Sequence, residues 1–113
     1  MSTITVAEGS DGVAHVITIY KQGSSTGENL SSYSTAVMNV TSKDFKTLYD
    51  TISLVITTAS SGILTYTTDN ADTLPAVPEG KKDLELKAQV KITGTNLAEL
   101  TEIFDFVIVR DLG

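Results

Sequence analysis

Residues 83 to 93, DLELKAQVKIT, alternate without a fault, with Leu84, Leu86, Ala88, Val90 and Ile92 on one parity and Asp83, Glu85, Lys87, Gln89 and Lys91 on the other. Successive side chains of a strand point to opposite faces, so this pattern fits a β-strand with one face in a core and its charged face in water. Such a strand cannot stand alone. The rest of the chain has to supply partners for its edges and a cover for its apolar face.

Candidate partners run the length of the sequence. Residues 3 to 7, TITVA, alternate Ile4 and Val6 with polar neighbours, and Gly9, Asp11 and Gly12 supply a reversal. Residues 13 to 21, VAHVITIYK, are apolar on both parities, which predicts a central strand covered on both faces. QGSSTGENLSS reads as a surface loop, and YSTAVMNVT at 33 to 41 as another strand. In SKDFKTLYDTI, Phe45, Leu48, Tyr49 and Ile52 fall at steps of 3, 1 and 3, the face of a helix of about two turns, with Thr41 and Asp44 as its capping box. SLVITTAS and SGILTYTT follow as strands. A long loop with both prolines, Pro75 and Pro78, leads to the alternating strand. After Gly94, Leu97, Leu100 and Phe104 predict a second short helical turn, and DFVIVRD closes the chain as a strand.

Residues 36 to 56 align without a gap on residues 88 to 108, at a constant offset of 52. Ala36 meets Ala88, Thr41 meets Thr93, Leu48 meets Leu100, and Val55 and Ile56 meet Val107 and Ile108. The preceding strands, Val16 to Tyr20 and Ile63 to Thr67, match at an offset of 47. Two readings account for this: one duplicated unit, or two segments built from the same periodicities. Either gives a single domain over 1–113, made of an N-terminal strand or arm (1–12), a first unit (13–60) and a second (61–113). About seven strands with two short helical turns predict a mainly β fold, a β-sandwich or partly open barrel, with the turns capping its ends.

If the halves share a register, Ala36, Met38 and Val40 point inward like Ala88, Val90 and Ile92. Tyr33, Thr35, Val37 and Asn39 then point outward, where the second half carries Glu85, Lys87, Gln89 and Lys91. Uncharged, tyrosine-bearing strand faces are candidates for contact with another subunit. Cover by a turn or loop of the same chain is the alternative.

Chemistry is sparse by comparison. The 113 residues contain no cysteine, which excludes disulfides, Cys-ligated metals and thiol catalysis. The formal charge of −6, from 14 acids against 8 bases, opposes nucleic-acid binding. The opening MSTITVAEGSDG has no basic or apolar run, and the longest apolar run, Phe106 to Val109, is too short for a transmembrane helix. The expectation is a soluble chain that is not exported and does not engage a membrane. His15, the one histidine, sits in an apolar strand and reads as structural. Asp69, Asp72, Glu79 and Asp83 flank the proline loop without the spacing of an EF-hand loop. There is no nucleophile elbow, phosphate-binding loop or dinucleotide fingerprint, so no catalytic residue, cofactor or metal is expected.

A short, cysteine-free, acidic β chain with 11 serines and 17 threonines, a near-duplicated unit and no site chemistry resembles the small virion proteins of tailed phages. The likeness is to head decoration (cement) proteins and, less closely, to tail proteins. That resemblance implies a dimer or trimer bound to a larger lattice such as a major capsid protein, on the virion surface after assembly in the host cytoplasm. The residues expected to make contact are Ile4 and Val6 in the N-terminal arm, the outward row Tyr33, Val37 and Asn39, and Leu74, Pro75, Val77 and Pro78 in the proline loop. The alternative is a soluble ligand- or carbohydrate-binding β module that stacks sugars on Tyr20, Tyr33 or Tyr66.

Overall fold

The alternating segment forms a 12-residue strand, Asp83–Gly94, with Leu86, Ala88, Val90 and Ile92 all buried. In the computed structural model, which describes residues 3–9, 11–19, 29–69, 74–101 and 103–110, it is the sixth of eight strands. These are β1 (Ile4–Ala7), β2 (Ala14–Thr18), β3 (Tyr33–Thr41), β4 (Leu48–Thr58), β5 (Ile63–Thr67), β6 (Asp83–Gly94), β7 (Leu97–Leu100) and β8 (Phe104–Val109). They form one sheet in the order β1-β8-β6-β3-β4-β5-β2, with β7 beside β6. The expected mainly β architecture is what forms, as a nearly closed, barrel-like sheet.

Curvature is introduced by β4. Its first part pairs with β3, through Ile52 opposite Met38 and Leu54 opposite Ala36, and its second part pairs with β5, through Val55 opposite Thr65. A strand shared in this way turns a corner, as in orthogonal sheet packing. The turn brings β5 over β8, so that the Tyr66 and Phe106 rings lie 6.0 Å apart inside a single core that also takes Ile4, Val6, Ile17, Met38 and Leu64.

The aligned halves meet at the centre of the sheet. In the β3–β6 ladder Met38 lies opposite Val90, its own equivalent at the offset of 52. Ala36 lies opposite Ile92, and Val40, the equivalent of Ile92, lies opposite Ala88, the equivalent of Ala36. The two segments therefore pair about a local two-fold axis between Met38 and Val90. Inward positions match as well, Ile52 with Phe104 and Leu54 with Phe106. The symmetry weakens further out. Ala36 faces Leu54, whereas Ala88 faces Phe104 rather than Phe106. A slip of two residues preserves which side chains face inward.

Both expected helical turns are strands instead. Residues 42–47 form a hairpin turn in which Ser42 Oγ donates to Asp44 Oδ1 (2.6 Å), the Lys46 amide donates to Asp44 Oδ1 (3.1 Å) and the Ser42 amide donates to the Thr47 carbonyl (2.8 Å). Side-chain oxygens that can cap a helix satisfy turn amides equally well, and the β-branched run that follows favours extension. The spacing that suggested a helical face mixes two environments: Ile52 and Phe104 are buried and Tyr49 packs against the core, whereas Phe45, Leu48, Leu97 and Leu100 lie on the surface. Phe45 and Asn96 have left-handed backbones, with φ of 65° and 59°, at the turns leading to β4 and β7.

The Ser42 and Lys46 hydrogen bonds hold the Asp44 carboxyl below the ordinary carboxylate value of 3.8. A carboxyl depressed in the folded state contributes stability above its unfolded pKa and loses it as the pH falls through the folded value. The Asp44 titration followed by NMR is expected to have its midpoint below 3.8 and to move up in Ser42→Ala, which removes the larger of the two hydrogen bonds and leaves that from the Lys46 amide. A wild-type midpoint at or above 3.8 would contradict the turn geometry.

Candidate functional site

On the outer face of the sheet, position along the strand order separates two chemistries. β6 presents Asp83, Glu85, Lys87, Gln89 and Lys91. Lys43 Nζ lies 3.0 Å from Glu85 Oε2, Lys87 pairs with Asp105 of β8, and Gln89 donates to the Thr101 carbonyl (2.7 Å). Glu85 and Lys91 are exposed, so this is the solvated face that alternation predicted. The Glu85 carboxylate, by its hydrogen bond and charge, raises the pKa of Lys43.

From β3 to β2 the outer face changes. β3 turns out Thr35, Val37, Asn39 and Thr41, and β4 turns out Thr51, Ser53, Val55 and Thr57. β5 adds Ile63, Thr65 and Thr67, and β2 adds Ala14, Val16 and Thr18. None carries a charge. Register makes the surface continuous, with Val37 opposite Ser53, Val55 opposite Thr65, and Thr65 opposite Val16. Hydroxyls tie it together laterally: Thr51 donates to Asn39 Oδ1 (2.8 Å), and the Thr57 and Thr65 hydroxyls are 2.5 Å apart. Val16 is 69% exposed and Val55 64%, so large apolar side chains stand in solvent on either side of Thr65 in one cross-strand row.

β2 is not the central strand that its two-sided apolar pattern predicted. Among the described residues it pairs with β5 alone and ends the sheet. One parity, Ile17 and Ile19, is in the core, while the other lies on the uncharged outer face. His15 stacks on Tyr66 at 5.7 Å between ring centroids, a packing role.

The other expected contact residues are dispersed. Ile4 and Val6 point into the core, because β1 is not an arm but a strand paired in parallel with β8. In the proline loop Val77 is buried and Leu74 packs against the core. The loop is fastened across the ends of β1 and β8: the Val77 amide donates to Glu8 Oε2 (2.7 Å), and Arg110 donates to the carbonyls of Val77 (3.3 Å) and Lys81 (2.9 Å). Pro75 is half-buried and Pro78 exposed. Tyr33 is half-buried at the core margin, and its hydroxyl donates to Glu99 of β7 (2.6 Å). The same chain therefore covers part of the Tyr33 end of the row, while Val37 and Asn39 remain on the open face.

A cleft of about 210 Å³ lies where the two ends of the curled sheet approach, lined by Val6, Glu8 and Ile108 on one side and Tyr66, Thr68 and Leu74 on the other. Tyr66 is buried in the core and offers no sugar-stacking face. Tyr20 lies outside the described residues. Sequence reasoning missed Val16, Val55 and Thr65 as members of the outer face. Their alternation was legible, but the neighbour relations that join β2, β5 and β4 are not local in sequence.

No protein-family model matches the chain, and no curated protein matches it.

Proposed function

We propose that this chain is a non-enzymatic structural protein that binds and stabilises a larger protein lattice, in the manner of a capsid decoration protein. The observation that supports this reading most is the uncharged outer face spanning β3, β4, β5 and β2 in a chain with formal charge −6. A surface of Val, Thr, Ser and Asn gives up little on losing water and keeps hydroxyls available for hydrogen bonds, which suits a protein contact. The charged outer side chains of β6 border it, Lys91 and Lys87 lying opposite Val37 and Thr41, and mark its limit with a solvated strip.

Its genetic neighbourhood and its binding to shells test the reading. Capsid and portal genes beside this one are expected, and the purified chain should co-sediment with shells of the neighbouring capsid protein. A Val37→Lys, Val55→Lys double variant is expected to bind at least tenfold more weakly, equivalent to about 1.4 kcal/mol. Glu85→Lys, which adds the same charge on the solvated face, should bind like the parent chain. A neighbourhood of metabolic genes, or shell binding indifferent to Val37 and Val55, would overturn it.

A further inference from the structure

The edge of β2 has a specific geometry. Val13 accepts from the Thr68 amide (2.9 Å) and Ile19 donates to the Gly62 carbonyl (2.8 Å), both toward β5. Bonded positions recur every second residue in an antiparallel ladder, so residues 13, 15, 17 and 19 direct their main-chain groups to β5. The amides and carbonyls of Ala14, Val16 and Thr18 therefore point the other way, and among the described residues no strand lies on that side. The same three residues place their side chains on the uncharged outer face.

Sheet edges are ordinarily protected by charge, proline or a bulge. β2 contains no charged residue and no proline, and its ladder with β5 runs without a register shift. Two-sided apolar patterning at residues 13 to 19 describes a strand covered on both faces, yet Val13 is 48% and Val16 69% exposed. The lack of charge, proline and bulge indicates an edge that is paired in the working state.

We infer that the β2 edge is the site at which a second copy of this chain adds its own β2, antiparallel, about a two-fold axis at Val16. A second copy fits this edge: each chain has formal charge −6, and β2, without a charged residue, is a place where two copies meet with no like charges brought together. Centring on Val16 overlaps the whole five-residue strand, Ala14 opposite Thr18 of the other copy, with both Val16 residues adjacent on the outer face. The chain already joins its two aligned halves in this way, through the ladder centred on Met38 and Val90. The pairing continues the uncharged face from one copy into the next. It deepens the structural reading and rests on it for the choice of surface. Its test reads mass and cross-linking alone, so it can fail while shell binding stands.

Sedimentation equilibrium on the whole chain is expected to give twice the chain mass, and Val16→Pro the mass of one chain with an unchanged circular dichroism spectrum. The Val16 amide faces the open edge, so proline there breaks no bond within the chain. Because the protein has no cysteine, Val16→Cys places a single thiol per chain on the axis, at the roughly 5.5 Å Cα separation of a hydrogen-bonded pair that a disulfide spans. It should oxidise to a covalent dimer at least tenfold faster than Val55→Cys, which lies on the same face away from the axis. A wild-type monomer, a Val16→Pro variant that keeps the dimer mass, or equal cross-linking rates at the two positions overturns the inference.

Discussion

Replacing Phe106 with alanine is expected to cost about 3–5 kcal/mol of folding stability, measured by urea denaturation. Phe106 is fully buried on β8, its ring 6.0 Å from that of Tyr66 on β5. It thus stands where the two arms of the curled sheet press together. Truncation removes the largest contact between them and leaves a cavity that Ile4, Leu86 and Tyr66 cannot fill without moving backbone. Domains of this size hold only about 5–15 kcal/mol in total, so the variant should melt more than about 10 °C below the parent. A loss under about 1 kcal/mol would mean that β5 and β8 do not face each other across a common core.

Gly94→Ala, which adds a single methyl group, is expected to cost about 1–3 kcal/mol, toward the upper end of that range. A Cβ built at Gly94 would lie 2.2 Å from the Ser32 carbonyl oxygen and 3.2 Å from Leu97 Cδ1. The obstacle at Ser32 is backbone, held beside the irregular pairing of Tyr33 with the end of β6, so no rotamer change relieves it. Gly80 provides the comparison. An added Cβ there meets nothing within 4 Å, but the backbone has φ of 81°, so alanine at Gly80 costs only the left-handed strain of about 1–2 kcal/mol. Gly94→Ala should be the less stable of the two. The reverse order would contradict the close approach of the β2–β3 connection to the end of β6. In the aligned first half the equivalent position is Ser42, which has the room to use its hydroxyl in the hairpin turn.

How far these features could be read in advance follows from what each depends on. The alternation at 83–93 depends only on parity and survives intact in β6. The match between 36–56 and 88–108 correctly paired inward positions, and it contained, unrecognised, the two-fold ladder centred on Met38 and Val90. The helical turns do not form because the three-residue spacing joins residues of opposite environment: Ile52 and Phe104 are in the core, while Phe45, Leu48, Leu97 and Leu100 lie in solvent. Only tertiary contacts distinguish the two cases. The expected contact residues Ile4, Val6 and Val77 failed for a related reason. Short apolar stretches near a terminus or in a loop look available until β8, Glu8 and Arg110 are seen to hold them. β2 is the instructive instance. Its sequence describes a strand covered on both faces, while the described residues cover one.

That discrepancy links the fold to the proposed role. A sheet that joins its halves about one local two-fold, leaves the outer face of β3, β4, β5 and β2 without charge and, among the described residues, ends in a strand with no charge or proline is suited to assembly with further copies. Residues that would otherwise be destabilising, such as Val16 and Val55 in solvent, acquire a function if they are exposed only before assembly.

The central claim, that the β3-β4-β5-β2 outer face is the contact surface and the β6 face is not, is tested most directly by thiol alkylation. Single cysteines introduced as Val55→Cys and Glu85→Cys into this cysteine-free chain can be alkylated before and after binding to capsid shells. The rate is predicted to fall at least tenfold at position 55 on binding and to stay unchanged at position 85. Protection at position 85 with unaltered reactivity at position 55 would contradict the account.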